Sequence, residues 1–292
     1  MRGEVTRVPL RPLAGMLLKR MDFMEMLGII ALESERASAA KWYRFGRGKM
    51  TENFTLEQYG VEAAAFYTDG NPRRLRRALA EYPIAAAVVT ERFAARFGDV
   101  PGGGLTVVRG ENLYQRLVPH IIKKTAKIAG LDRQNAALAV SGENPAAALA
   151  LVESVHNEFR YITLISRNGK TAREISDKML DEYGIAVVVA EAADGVHCDI
   201  AVKTGCESLR FPAKTLVIDA SAEHTAAREN TINWAEVSVR HRLPFQIDSL
   251  AFAEGIERIT NGGAKFRLRG FRSGNKVIAP GSVNGGEITR TR

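Results

Sequence analysis

The sequence predicts an α/β protein of two domains, the C-terminal one a doubly wound, mainly parallel sheet. Three observations carry that expectation. The chain has 292 residues, enough for about two ordinary domains. Its composition, 46% hydrophobic and 25% charged, is that of a folded chain rather than a disordered or fibrous one. Short apolar runs alternate with helical segments twice, from Val61 to Val108 and again from Ala136 to Ala190, and strands separated by helices imply parallel pairing through crossovers.

In chain order, Leu13, Leu17, Met21, Met24 and Leu27 recur at steps of three and four, with Asp22 and Glu25 off that face, which predicts a helix over Leu13–Ile30. Lys41–Asn53 (KWYRFGRGKMTEN) reads as a surface loop anchored by Trp42, or as a segment whose aromatic and basic residues stack on and neutralise a nucleotide. Val61–Tyr67 is a buried strand, Pro72–Tyr82 a helix, Ile84–Val89 a strand, Thr90–Phe97 a helix and Leu105–Val108 a third short strand. Asn112–Ala129 is a longer helix with Leu113, Leu117, Ile121, Ile122 and Ile128 inside, Gly130 as its stop, and Pro119 as an expected kink or break.

The alternation then resumes: strand Ala136–Val140, helix Pro145–Val155, strand Tyr161–Ile165, helix Thr171–Tyr183 and strand Ile185–Ala190. Two more strands, Asp199–Val202 and Thr215–Asp219, are separated by loops, and a last helix runs over Asp248–Thr260. Lys265–Val277 is a basic hairpin closed near Ser273-Gly274-Asn275. The helices after Asn71-Pro72 and Asn144-Pro145 share an Asn cap followed by Pro in the first turn. These elements divide the chain into an N-terminal α/β domain over 1–111, a linking helix over 112–131, a second α/β domain with a returning helix over 132–262, and a basic hairpin and tail over 263–292.

Composition and motif searching remove several function classes. No apolar stretch approaches the roughly 18 residues of a membrane span, and the basic start, Met1–Arg20, contains Pro9 and Pro12 instead of a signal-peptide core. Cys198 and Cys206 are too few for a disulfide framework, so a reducing cytoplasm is the expected compartment. His120, His156, His197, His224 and His241 show no metal-type spacing, so no metal site is expected. Serine-hydrolase elbows and phosphate-binding P-loops have no match. The 41 Lys and Arg exceed the 33 Asp and Glu by 8, and the excess is uneven: Arg73, Arg74, Arg76 and Arg77 cluster, as do Lys265, Arg267, Arg269, Arg272 and Lys276. Such clusters are solvated surface or footprints of phosphate-bearing partners.

Ile162-Thr163-Leu164-Ile165-Ser166-Arg167-Asn168-Gly169-Lys170-Thr171-Ala172 resembles the strand and Asn/Ser-Arg-Thr turn of the shikimate dehydrogenase and glutamyl-tRNA reductase group, within a Rossmann-like stretch of Ala136–Ile259. The resemblance implies that this turn meets the adenosine end of NADP, with Arg167 and Lys170 on the 2′-phosphate; an acidic residue in place of Ser166 would instead hold the free ribose of NAD. Ser166 lies 24 positions after Gly142, near the spacing of about 20 between glycine turn and ribose reader. The glycine motif itself is degenerate: Gly142, Glu143, Asn144, Pro145, Ala146 and Ala147 occupy it, so Gly142 and Ala147 suit the pattern while Asn144, Pro145 and Glu143 oppose an anion. Cys198–Gly205 and Leu216–Ser221 resemble the later strands and their ends.

What the resemblance implies is an NADP-dependent oxidoreductase acting on a small anionic ligand between the domains, with Gly142, Asn144, Ser166, Arg167, Asn168, Lys170, Thr204 and Gly205 around the cofactor and the catalytic group unknown. The shikimate enzymes' Asn-Val-Thr-x-Pro-x-Lys segment and the reductases' N-terminal cysteine have no counterpart here. Two other readings stand beside it. One is a non-catalytic ligand-binding or regulatory protein on the same fold; the other is a nucleic-acid-binding protein using its basic clusters with Trp42, Tyr43 and Phe45.

Overall fold

A computed structural model describes residues 25–40, 51–98, 105–142, 144–205, 209–221, 231–239, 245–273, 276–278, 283–284 and 287–288. The loop aromatics Trp42, Tyr43 and Phe45, together with Glu143, Cys206, His224, His241 and the hairpin tip Gly274-Asn275, lie outside them. The chain forms two compact units. Unit 1 takes its described residues from Met1–Val107, Leu243–Ile247 and Gly255–Ala264, and unit 2 from Val108–Arg242, Asp248–Glu254 and Lys265–Arg292.

Unit 1 is an α/β sheet of four strands. The elements are β1 (Met26–Leu32), α1 (Glu33–Ala40), β2 (Thr51–Leu56), β3 (Val61–Thr68), α2 (Pro72–Ala80), β4 (Ile84–Val89) and α3 (Glu91–Phe97). Their order is β2-β3-β1-β4, with β1 parallel to β3 and β4, and β2 antiparallel at the edge. Met26–Leu32 is therefore a central strand, not the end of a helix over Leu13–Ile30. Its run MLGIIAL is buried on both faces, so it lacks the polar face that separates a strand from a helix by period. Leu105–Val108 makes only a single bridge, Val107 to Ala87, rather than a strand. Ile30, Phe66, Leu75, Leu79 and Phe93 fill one side of the sheet.

The central sheet of unit 2 has six strands. Here α4 (Glu111–Ile128) leads to β5 (Ala137–Ser141), α5 (Pro145–Val155), β6 (Tyr161–Ile165), α6 (Gly169–Tyr183) and β7 (Val187–Ala190). The chain then crosses to β8 (Ile200–Lys203), β9 (Leu216–Asp219) and β10 (Thr231–Ile232). The spatial order is β10-β9-β8-β5-β6-β7, every pair parallel. Read from the first strand, β5, this is the 3-2-1-4-5-6 order of the doubly wound dinucleotide-binding sheet. Three antiparallel strands, β11 (Trp234–Ser238), β12 (Arg267–Ser273) and β13 (Lys276–Ile278), form a second sheet in the same unit; β12 and β13 are the expected basic hairpin.

Alternation along the strands sorts the core. Leu138, Val140, Leu164, Val202 and Ile218 face α4, α5 and α6 across one continuous apolar cluster. Ala139, Ile165, Ala201 and Val217 face the opposite way, where Ala193, Val196, Leu209 and Phe211 from the connecting loops cover them. Helix α4 runs unbroken through Pro119. Burial of Tyr114, Val118, Ile121 and Ile122 on either side of the proline outweighs the ~3 kcal/mol that a missing amide and ring clash cost. It ends as expected at Gly130, φ +67°: Leu131 N donates to Ala126 O at 2.9 Å and Gly130 N to Lys127 O at 3.3 Å, which satisfies the last carbonyls. The last helix, α7 (Ser249–Ile259), starts where Asp248 Oδ1 accepts from Leu250 N at 2.9 Å and Ala251 N at 3.1 Å.

Two buried tyrosines tie polar groups into these cores. In unit 2 the Tyr114 ring stacks on Trp234 with centroids 5.1 Å apart, and its hydroxyl donates to Asp219 O at 2.9 Å. In unit 1 the Tyr67 hydroxyl donates to Glu52 Oε2 at 2.8 Å. Burial, reinforced by the neighbouring Asp219 and Glu52 carboxylates, holds both phenols protonated well above their ordinary 10.0. The unfolded chain releases those protons near 10.0, so the stability they contribute is complete below that pH and is lost as pH rises above it. Tyr114→Phe is expected to cost about 1 kcal/mol at neutral pH and to make the alkaline loss less steep, both measured by urea unfolding across pH.

Candidate functional site

Strand order reverses at β5: the chain leaves it toward β6 on one side and returns to β8 on the other. The connections after these strands diverge at their carboxyl ends, the place where ligands of such sheets sit. Gly142, Ser166 and Thr204 come directly after the three strands.

Gly142 fits this place because of space rather than an unusual dihedral. Its N–H donates to Ile165 O at 2.6 Å. A Cβ there would lie 3.0 Å from Ser166 Cβ and 3.2 Å from Leu164 Cδ1. The turn after β5 is thus pressed against the end of β6. Thr204 closes the other side, its Oγ1 donating to Ser141 O at 2.6 Å.

The start of α5 is partly used by its own residues. Asn144 Oδ1 accepts from Ala147 N at 3.2 Å, and Pro145 has no N–H to offer. Of the first-turn donors, these two are unavailable to a phosphate, and the exposed Ala146 keeps its own. The turn after β6 is built differently. Ser166 is buried and its N–H donates to Ala190 O at 2.9 Å, while its Oγ accepts from Asn168 N at 3.2 Å. Asn168 Oδ1 then caps α6 through Thr171 N at 3.3 Å. This folding leaves Arg167 and Lys170 exposed on the same turn. Ser166 and Asn168 shape the turn, and Arg167 and Lys170 carry its charge. The third Asn cap, Asn168, was not read from the sequence because no proline follows it.

The ends of β8 and β9 hold an ion pair that the sequence does not reveal. Lys203 and Asp219 are register partners on adjacent strands, with Nζ 3.2 Å from Oδ2 and side chains 14% and 4% exposed. Asp219 Oδ1 accepts from Ser221 Oγ at 2.6 Å and Ser221 N at 3.1 Å. Lys203 is therefore a fixed, mostly buried cation, where a strand-end lysine is ordinarily a solvated one. Gly205 follows Thr204, half-buried.

Other groups named from the sequence lie on other elements. Arg73, Arg74, Arg76 and Arg77 are exposed on α2 in unit 1, behind the cap that Asn71 Oδ1 gives to Arg73 N and Arg74 N. On the hairpin, Lys265, Arg267 and Arg269 are exposed, whereas Arg272 is engaged by Glu236 and Asp248. Burial pushes the Cys198 thiol up, against a smaller opposing effect of Thr215, which makes it a poor nucleophile. Among the described residues no three His, Cys, Asp or Glu gather as metal ligands, and no helix is long and apolar enough to cross a membrane. Gly142→Val is expected to destabilise the chain by about 1–3 kcal/mol, read by thermal unfolding, since its branches meet Ser166 and Leu164.

No protein-family model matches the chain, and no curated protein matches it in sequence. Among solved structures it is similar to a shikimate 5-dehydrogenase-like protein, at 14% identity over 84% of this chain and 94% of that one, with a TM-score of 0.33. It is also similar to a shikimate 5-dehydrogenase from Listeria monocytogenes in complex with shikimate and NAD, at 12% identity, 82% and 93% coverage and a TM-score of 0.36. A quinate dehydrogenase from Corynebacterium glutamicum in complex with NAD gives 11% identity, 81% and 94% coverage and a TM-score of 0.32.

Proposed function

We propose that unit 2 binds NADP across the carboxyl ends of β5, β6 and β8, and that the chain is an NADP-dependent oxidoreductase acting on a small anionic substrate. One observation carries this reading. In a sheet of 3-2-1-4-5-6 order, the turn after the second strand presents exposed Arg167 and Lys170 while neutral Ser166 is folded beneath them. That turn is where a dinucleotide's adenosine ribose is read, and two cations without a carboxylate suit a 2′-phosphate. The turn after β5 is compatible with the group as well: Gly142, without a Cβ, lets the backbone turn close against Ser166 and Leu164 of β6.

In this assignment Arg167 forks onto the 2′-phosphate and Lys170 adds a second charge. Asn168 holds the turn, and Gly142 and Asn144 border the pyrophosphate with the Ala146 N–H as remaining donor. Thr204 and Gly205 flank the far half, beside Lys203 and Asp219. Bound there, the nicotinamide supplies a hydride acceptor or donor. The chain's own part is to orient it, since charge-assisted contacts and a pre-shaped turn fix one geometry.

A second reading is favoured by the engaged first turn of α5. With Asn144 spent on Ala147 N and Pro145 lacking a donor, a pyrophosphate gains less there than at an open helix start. On that reading the chain is a non-catalytic binding protein of the same fold. Calorimetric titration separates the two. NADP is expected to bind more tightly than NAD, and Arg167→Ala to weaken NADP about tenfold or more while leaving NAD nearly unchanged. Equal affinities in wild type and variant would remove the Arg167 assignment.

A further inference from the structure

We propose that Lys203 Nζ, with the Ser141 hydroxyl of the adjoining strand end, forms a binding site for the carboxylate of a small oxo or hydroxy acid at the carboxyl ends of β5 and β8. This deepens the function proposed above and rests on it for the identity of the neighbouring ligand. It says where the charge of a small anionic substrate is held.

The strands themselves bring these groups together. Ala139 pairs with Ala201 and Val140 with Val202. Alternation then returns the following residues, Ser141 and Lys203, to the face that Ala139 and Ala201 occupy. Lys203 pairs in turn with Asp219, two residues beyond Val217 of that same face. Ser141, Lys203 and Asp219 thus form one polar row across three strand ends, with small apolar residues behind it. The 2.6 Å bond from Thr204 Oγ1 to Ser141 O holds the first two strands together at this level, and Ala220 N to Lys203 O, 2.8 Å, holds the second two.

Two members of the row have hydrogen-bonding capacity that the described residues do not use. Ser141 is fully buried and its Oγ has no partner among them. An orphaned buried hydroxyl is costly, so its retention points to a polar occupant. Lys203 gives one proton to Asp219 Oδ2, and no other described residue takes its remaining two. Asp219 has its other oxygen clamped by Ser221 Oγ and N. The carboxylate therefore holds the ammonium in one position and cannot turn toward a ligand.

The occupant's chemistry follows from these donors. It must accept from an ammonium and from a hydroxyl at the adjoining strand end, which suits a planar group with two oxygens. Asp219 lies against the lysine, so a singly charged anion is favoured over a dianionic phosphate. The 14% exposure of the Lys203 side chain restricts the site to small molecules.

The test uses the full chain and pyruvate, with uncharged pyruvamide and inorganic phosphate as controls. Binding is followed by backbone amide shifts with and without saturating NADP. Pyruvate is expected to bind saturably, pyruvamide and phosphate far less. Lys203→Gln should weaken pyruvate about tenfold or more, and Lys203→Arg only a few-fold. Ser141→Ala, which leaves the ion pair intact, should weaken pyruvate about three-fold or more and guards against misfolding of the lysine variants. Pyruvate binding equal in wild type and Lys203→Gln, preferred binding of phosphate, or NADP binding without pyruvate binding overturns the lysine site alone. Pyruvate binding through Lys203 without NADP binding upholds it and overturns the dinucleotide reading, and binding of neither overturns both.

Discussion

The reversal of strand order at β5 is the constraint on which the candidate site depends. A parallel sheet in which the first strand lies at its middle must send one connection each way, and the two departures part at the carboxyl ends of the strands. The residues of the proposed site stand at that edge. Gly142 turns immediately after β5 because β6 leaves no room for a side chain. Thr204 fastens β8 to β5 at the same level, and register alone brings Lys203 opposite Asp219.

The local energetics at the two helix starts differ in a way that divides labour. At α5 the cap satisfies the chain itself: Asn144 and Pro145 stabilise the helix and reduce its attraction for an anion. At α6 the cap and the Ser166 hydroxyl fold the turn so that Arg167 and Lys170 point no charge inward. Positive charge for a phosphate is thereby moved from the pyrophosphate position to the ribose position. On the proposed reading, a dinucleotide is gripped chiefly at its adenosine end, which makes the 2′-phosphate the deciding group.

Much of this was legible in the sequence. Strands buried on both faces are near-continuous apolar runs, so IAAAVV and YITLI, bounded by caps and glycines, could be placed to within about a residue or two. Asn-Pro announced two helix starts. Strand β1 was lost because MLGIIAL follows a methionine-rich stretch that keeps helical spacing. β2, TENFTL, was lost for the opposite reason: it is polar, and its Glu52 is buried only because Tyr67 and Arg36 meet it from elsewhere in the chain. The Lys203–Asp219 pair was invisible for the same cause, since a pairing across 16 residues is a property of register and not of spacing. Pro119 shows tertiary burial overriding a local rule.

The most direct test of the account is to map backbone amide shifts of the whole chain on titration with NADP. The account predicts saturable changes confined at first to Gly142, Asn144 and Ser166–Lys170, extending to Thr204 and Gly205 as the far half settles. Changes scattered over α2 and the β12–β13 hairpin instead, or none at all at saturating NADP, would contradict a dinucleotide site at the carboxyl edge of this sheet.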